Sequence, residues 1–151
     1  MAGPFARFRQ SRADDRELGF GLWRRGHDRY ARALDRYWQV VEATREAGNV
    51  GEDELNGLVH AGNALADARD RVRTLCTVLH RRHPSGEGGH IPPSTADAHR
   101  ELSRAAHELA ATAQAAAMFR LGQGSLDSVG RHAERTLEHV AQAERSAPRP
   151  A

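Results

Sequence analysis

Apolar residues recur along this chain at spacings of three and four, which is the period of an amphipathic α-helix. The pattern is continuous in four segments, at residues 12–48, 52–83, 94–121 and 125–145. β-branched residues are scattered and no run alternates with a period of two, so we expect no sheet. Because the links between the segments are short, the pattern predicts an all-α fold, a four-helix up-down bundle.

The first of these segments is the longest, and its apolar stripe is largely aromatic. The stripe consists of Phe20, Trp23, His27, Tyr30, Leu34, Tyr37 and Val41. Three glycines, Gly19, Gly21 and Gly26, interrupt its first third, and each costs about 1 kcal/mol relative to alanine inside a helix. We therefore expect a long first helix that kinks or frays near these glycines.

The two ends of the chain lack the helical period. We expect a flexible basic arm at residues 1–11, a helical bundle domain at 12–145 and a disordered tail at 146–151. The Pro and Gly content of residues 84–93 predicts a loop between the second and third helices.

Two stripes of small residues predict a close approach between the second and third helices. They are Gly57, Ala61, Ala64 and Ala68 on the second helix, and Ala106, Ala110, Ala113 and Ala117 on the third. Small side chains let two helix axes approach to the short end of the usual range of about 8–10 Å. We expect the two stripes to face each other, although alanine is common enough in this chain to produce them without such a contact.

Large apolar residues are scarce, and the aromatic ones are concentrated at one end. Leu, Ile, Val and Phe make up only 26 of the 151 residues, whereas seven of the eight aromatic rings lie in the first 38 positions. Either the first helix is the central core helix, or it carries its rings to another chain, since aromatic residues are enriched at interfaces. The leading hypothesis is a non-enzymatic bundle that self-associates, as a homodimer for example, or binds a protein partner. The partner-binding surface would then consist of Phe20, Trp23, His27, Tyr30, Tyr37 and Trp38.

The net charge of +2 is unevenly distributed, because residues 1–36 carry nine arginines and only five acids. In the amino-terminal arm, phenylalanine alternates with arginine and no acid intervenes: Phe5, Arg7, Phe8, Arg9 and Arg12. This pattern suits an anionic partner, such as nucleic acid or an acidic surface, through phosphate contacts and base stacking. The alternative hypothesis is therefore binding of an anionic partner through this arm; a disordered basic tail without a partner would have the same composition.

Histidine is unusually frequent, with nine residues. His80, His83, Glu87 and His90 have a spacing that could supply ligands to a zinc ion. The glycines of this loop make the ligands difficult to hold in tetrahedral geometry, so the metal site is a third hypothesis and we expect no cofactor. His27 lies within the aromatic stripe, where it is either a pH-sensitive contact or a satisfied core residue.

No catalytic motif is present, and this favours a protein that is not an enzyme. Cys76, the only cysteine, lies on an apolar stripe, where a thiol is usually inert packing. No window approaches 18 consecutive apolar residues and no apolar leader segment precedes the helices. We therefore expect a cytoplasmic protein without a membrane span.

Overall fold

The computed structural model describes residues 4–85 and 90–149, which form five α-helices. They are α1 (Pro4–Leu18), α2 (Leu22–Ala47), α3 (Glu52–Arg82), α4 (Ala96–Arg120) and α5 (Leu126–Ser146), with one 3-10 turn at Pro93–Thr95 before α4. No strand occurs in the two described stretches, so the all-α prediction is confirmed. None of the five helices is both long enough and apolar enough to cross a membrane.

The prediction of four helices is not confirmed, because the first predicted helix is divided at residues 19–21. Gly19 has a φ of +68°, in the left-handed region where a side chain would be strained. A Cβ on Gly19 would also stand 2.5 Å from the His80 ring. The chain therefore reverses at this glycine instead of kinking, and α1 folds back along α2 and α3.

The flexible arm predicted at residues 1–11 is also wrong for the part that the structure describes. Residues 4–11 lie in α1, which begins at Pro4, a residue that suits the first turn of a helix. Residues 1–3 lie outside the described part of the chain. At the other end, Ser146 closes α5, residues 147–149 follow without helix, and residues 150 and 151 of the predicted tail are outside the described range.

Several helix ends have the chemistry that their sequence predicts. Gly48 ends α2 with a φ of +64°. The Glu54 side chain accepts a hydrogen bond from the Gly51 N–H at the start of α3, at 3.1 Å. Ser125 caps α5 by accepting a bond from the Ser128 N–H, also at 3.1 Å.

The four longest helices form a closed ring of contacts in which α2 and α5 each pack against both α3 and α4. Helices α2 and α4 run parallel, since the ring centroids of Trp23 and His99 lie 6.2 Å apart near their starts. Helices α4 and α5 are antiparallel, because Glu101 binds His139 at 2.7 Å and Glu108 binds His132 at 2.9 Å. Helix α1 packs on the outside of this ring, against α3 and α2.

The expected contact between the two small-residue stripes is wrong. Helices α3 and α4 are consecutive in sequence, but they lie at opposite corners of the ring and are not one of its packed pairs. Gly57 of the α3 stripe approaches Leu126 of α5, and Ala106 and Ala110 of the α4 stripe border a groove beside α2. The hydrophobic period of each helix contains no information about which helices become neighbours.

Candidate functional site

The aromatic face of α2, predicted as a partner-binding surface, is the core of this chain. Trp23 is 1% exposed, and Tyr30 and Tyr37 are equally buried. Each ring donates a hydrogen bond to a backbone carbonyl. Trp23 Nε1 donates to His83, directly after α3, at 2.9 Å. Within α3, the Tyr30 hydroxyl donates to Leu65 at 2.9 Å and the Tyr37 hydroxyl to Leu58 at 2.7 Å. Burial raises the pKa of both tyrosines above the usual range. These three rings are not available to a partner in this conformation.

The other members of the predicted surface are divided between core and solvent. Trp38 is half-buried, and its ring lies directly over Gly62 of α3. Phe20 lies in the turn between α1 and α2 and is 77% exposed. Of the predicted surface, Phe20 alone remains fully exposed.

His27 is 94% buried and faces a polar cavity of about 380 Å³ beneath α1. Its Nδ1 lies 2.9 Å from Asp28 Oδ1, so the imidazole has a polar partner inside the protein. The remaining lining residues are Gln10, Asp14, Ala31, Arg69, Asp70 and Arg73. Because this lining mixes acids and bases in nearly equal number, it favours no particular charge on a ligand.

The histidine cluster is not assembled by the residues that the structure describes. The His80 ring packs against Gly19, while His83 closes α3 and its carbonyl is occupied by Trp23. His90 is exposed, and Glu87, the proposed carboxylate ligand, lies outside the described residues. Among the described residues no three histidine, cysteine or acidic side chains converge as metal ligands.

Cys76 is fully buried among the core residues of α3. Burial raises the pKa of its thiol to about 12, so the thiol is protonated at neutral pH and is a poor nucleophile. The structure therefore places Cys76 in the packing role expected from the sequence.

Helix α1 brings the residues of the predicted anionic-partner arm onto an ordered surface. Phe5 is 80% exposed and Phe8 58%, and Arg7, Arg9 and Arg12 are exposed as well. The Arg12 guanidinium carbon lies 5.0 Å from the centroid of the Phe8 ring, which is the geometry of a cation–π contact. The arm is a helix whose rings and cations point into solvent.

The acids of α1 are directed toward the rest of the protein instead. Arg73 of α3 binds Asp14 at 2.6 Å and Glu17 at 2.9 Å, and Arg24 of α2 binds Asp15 at 2.8 Å. Burial raises the pKa of Asp14, but hydrogen bonds from Arg73 and Gln10 outweigh this effect and hold the pKa below its usual value. All three acids of α1 are thus neutralised by the body of the protein.

The acids of α1 are therefore paired with the body of the protein, while exposed arginines and phenylalanines share one face of the helix. One residue of this face, Arg16, was not predicted from the sequence. Helical spacing places Phe5, Phe8, Arg9, Arg12 and Arg16 on a common stripe, which we call the α1 face. Arg16 is exposed and continues this face by one turn. The spacing of four after Arg12 could have identified it, but the predicted helix began at residue 12, and Phe5 to Arg9 belonged to the predicted flexible arm.

Comparison with known proteins gives no further guide, since the chain matches no family model, no curated protein and no solved structure.

Proposed function

We propose that this protein is a non-enzymatic interaction module that binds single-stranded nucleic acid in the cytoplasm through the α1 face, with helices α2–α5 acting as a bundle that supports α1. The observation that carries the proposal is the segregation of charge on α1. Its three acids are held by Arg24 and Arg73, while two exposed phenylalanines and three exposed arginines share one face of the helix and form no ion pair among the described residues.

Each residue type on the α1 face has a defined task in this proposal. The guanidinium groups of Arg9, Arg12 and Arg16 contact backbone phosphates and release counterions, which makes binding strongly salt-dependent. Phe5 and Phe8 offer ring faces on which bases stack, and each such contact contributes about 1–3 kcal/mol. Because every base has a π-face, the proposal predicts little sequence preference.

A single strand suits this face better than a duplex. Stacking on Phe5 and Phe8 requires bases whose faces are free, and in a duplex those faces are covered by neighbouring base pairs. A duplex would therefore use the arginines of the α1 face and leave the two rings without a partner, although the rings make up much of its exposed surface.

The competing proposal is the self-association, or binding of a protein partner, that the aromatic content of the first 38 residues suggests. It can no longer depend on Trp23, Tyr30 and Tyr37, since these are buried within the chain. The rings that remain exposed for such a contact are Phe20 and the two phenylalanines of α1, which could pack against a second copy. Such packing would depend on apolar burial and would weaken little with salt.

The two proposals are separated by measuring the binding of a fluorescently labelled deoxythymidine oligonucleotide by anisotropy. The double variant Phe5→Ala/Phe8→Ala is expected to weaken binding at least tenfold, because it removes two stacking platforms. The matched control is Phe20→Ala, which removes an equally exposed ring outside the α1 face and is expected to leave the affinity unchanged.

Sedimentation equilibrium on the same three proteins completes the test. If the oligonucleotide does not bind, and Phe20→Ala or Phe5→Ala/Phe8→Ala instead dissociates an oligomer, then self-association is the correct function and nucleic-acid binding is wrong. Vesicles containing anionic lipid serve as a further arm, since binding to vesicles without binding to the oligonucleotide would also contradict the proposal.

A further inference from the structure

A second basic feature lies on α2, on a different face from the contacts with α1. Arg25, Arg29, Arg32 and Arg36 follow one another at spacings of four, three and four, so they share one stripe of the helix. All four are exposed. At a rise of about 1.5 Å per residue the stripe extends for roughly 16 Å along the helix axis. We call these four residues the arginine stripe.

The arginine stripe borders a groove between the parallel helices α2 and α4, with a volume of about 400 Å³. The groove is lined on the α2 side by Arg29, Arg32, Ala33 and Arg36, and on the α4 side by Ser103, Ala106, His107 and Ala110. Its apolar lining is alanine only, so no bulky side chain fills it. Arg29 donates a long hydrogen bond of 3.4 Å to the Ser103 hydroxyl of α4, so this cation extends across the groove.

The charges of the arginine stripe are not neutralised within the described residues, where none of the four arginines forms an ion pair. On α2, Asp28 is bound by Arg24, and Asp35 is the one exposed acid within the span of the stripe. The acids of α4 nearest the groove already have partners: Asp97 binds Arg100, Glu101 binds Arg104, and Glu108 binds His132.

The pKa of His99 is affected by the arginines at the amino-terminal end of the stripe. Burial lowers its pKa, and the positive charges of Arg29 and Arg25 lower the pKa further. A proton on this imidazole is disfavoured first by burial and then by the positive charges of the two arginines beside it. An anion bound at the stripe would offset those positive charges.

We propose that the arginine stripe and the adjoining groove form a second binding site, one that takes the phosphodiester backbone of a single-stranded nucleic acid. The four cations, which have no ion-pair partner among the described residues, match a regularly charged polyanion, and a span of roughly 16 Å is long enough to meet several phosphates. The only ring among the residues that line the groove is the His107 imidazole, so we expect this site to contact mainly the backbone and to offer no series of stacking platforms. The identity of the strand rests on the proposed function, whereas the site itself depends only on α2 and α4.

The test compares two double variants that remove the same charge at the same helical spacing. Arg32→Gln/Arg36→Gln removes half of the arginine stripe. The matched control, Arg131→Gln/Arg135→Gln, removes two exposed arginines of α5 that are also four residues apart and form no described ion pair. Circular dichroism confirms that both variants remain helical before binding is measured.

Two probes of equal length separate this site from the α1 face. One is a deoxythymidine oligonucleotide, and the other is an abasic oligomer with the same sugar-phosphate backbone. The stripe variant is expected to bind both probes roughly 25-fold more weakly than the control at about 0.1 M salt, with a salt slope that is smaller by about 1.4. The variant Phe5→Ala/Phe8→Ala is expected to lose affinity for the base-containing probe only.

Each proposal can therefore fail without the other. If the stripe variant binds both probes as the control does, the proposed second site is wrong. The proposed α1 face is then still tested by the affinity of Phe5→Ala/Phe8→Ala for the base-containing probe. If the stripe variant weakens the binding of both probes while Phe5→Ala/Phe8→Ala has no effect, the second site is supported and binding through the α1 face is contradicted. If polyglutamate or anionic vesicles bind at the stripe while neither oligomer does, the phosphodiester assignment is overturned.

Discussion

Replacing Trp23 with alanine distinguishes a core helix from an interface helix. The ring is 1% exposed, and removing a buried tryptophan ring costs about 3–5 kcal/mol. Its edge-on contact with His99, at 6.2 Å between centroids, belongs to a class that contributes about 0.5–1.5 kcal/mol beyond area burial. Since domains of this size are stable by only about 5–15 kcal/mol, Trp23→Ala should lose a large fraction of the stability.

A second variant, Trp23→Phe, separates packing from hydrogen bonding. It keeps most of the apolar ring but removes the indole N–H that donates to the His83 carbonyl at 2.9 Å. Leaving that carbonyl without its partner costs about 1–3 kcal/mol, and the lower end applies because the bond is only partly buried. We therefore expect a graded series in which Trp23→Phe lies between the wild type and Trp23→Ala.

The assay is urea denaturation followed by far-ultraviolet circular dichroism, with sedimentation equilibrium at micromolar concentration on the same samples. Both variants should lower the urea midpoint without changing the mass of the folded species. Phe20→Ala is the control, because an exposed ring should change the free energy of unfolding by no more than about 0.5 kcal/mol. If Trp23→Ala unfolds at the wild-type midpoint but dissociates an oligomer, the burial argument fails and α2 is an interface helix.

Two further predictions concern packing and pH. Gly62→Ala should lower the free energy of unfolding by up to about 2 kcal/mol, since a Cβ there would stand 2.5 Å from the Trp38 ring and overpacking outweighs the helix propensity gained. The control is Gly130→Ala, where a Cβ meets open space and the free energy of unfolding should rise by up to about 1 kcal/mol. Equal stabilisation of both variants in urea would refute the contact between Gly62 and Trp38. The lowered pKa of His99 means that the unfolded chain takes up its proton first, so stability should fall as the pH drops below about 6.5 and through the folded-state value. His99→Gln should show a shallower fall in urea titrations at several pH values, and an unchanged pH dependence would contradict the assignment.

The helices themselves were largely predictable because their signals are local. Acidic residues open α3 and arginines close it, Gly48 ends α2 and Ser125 caps α5, and each of these residues acts on backbone groups within one turn. The division at Gly19 was only half predictable. The glycines indicated a weak point, but they did not indicate that Gly19 would take a φ of +68° and pack against the His80 ring, 61 positions away.

The packing was not predictable, since it depends on which helices become neighbours. An aromatic stripe has the same spacing whether it meets another chain or the protein's own α3. The burial of Trp23, Tyr30 and Tyr37 and their hydrogen bonds to α3 and its carboxyl end distinguish the two cases. The expected contact between the small-residue stripes was wrong for the same reason, because α3 and α4 lie at opposite corners of the ring. The charge segregation of α1 was likewise hidden, since it depends on Arg24 and Arg73 from two other helices.

The most direct test of the α1 face is the salt dependence of oligonucleotide binding by Arg9→Gln/Arg12→Gln. Plotted as the logarithm of the association constant against that of the salt concentration, the wild type should give a steep negative slope, and the variant a slope smaller by about 1.4 if both arginines contact phosphates. The control Arg131→Gln/Arg135→Gln, with the same loss of charge, should keep the wild-type slope. A common slope for all three proteins would show that these arginines contact no phosphate and would contradict nucleic-acid binding through α1.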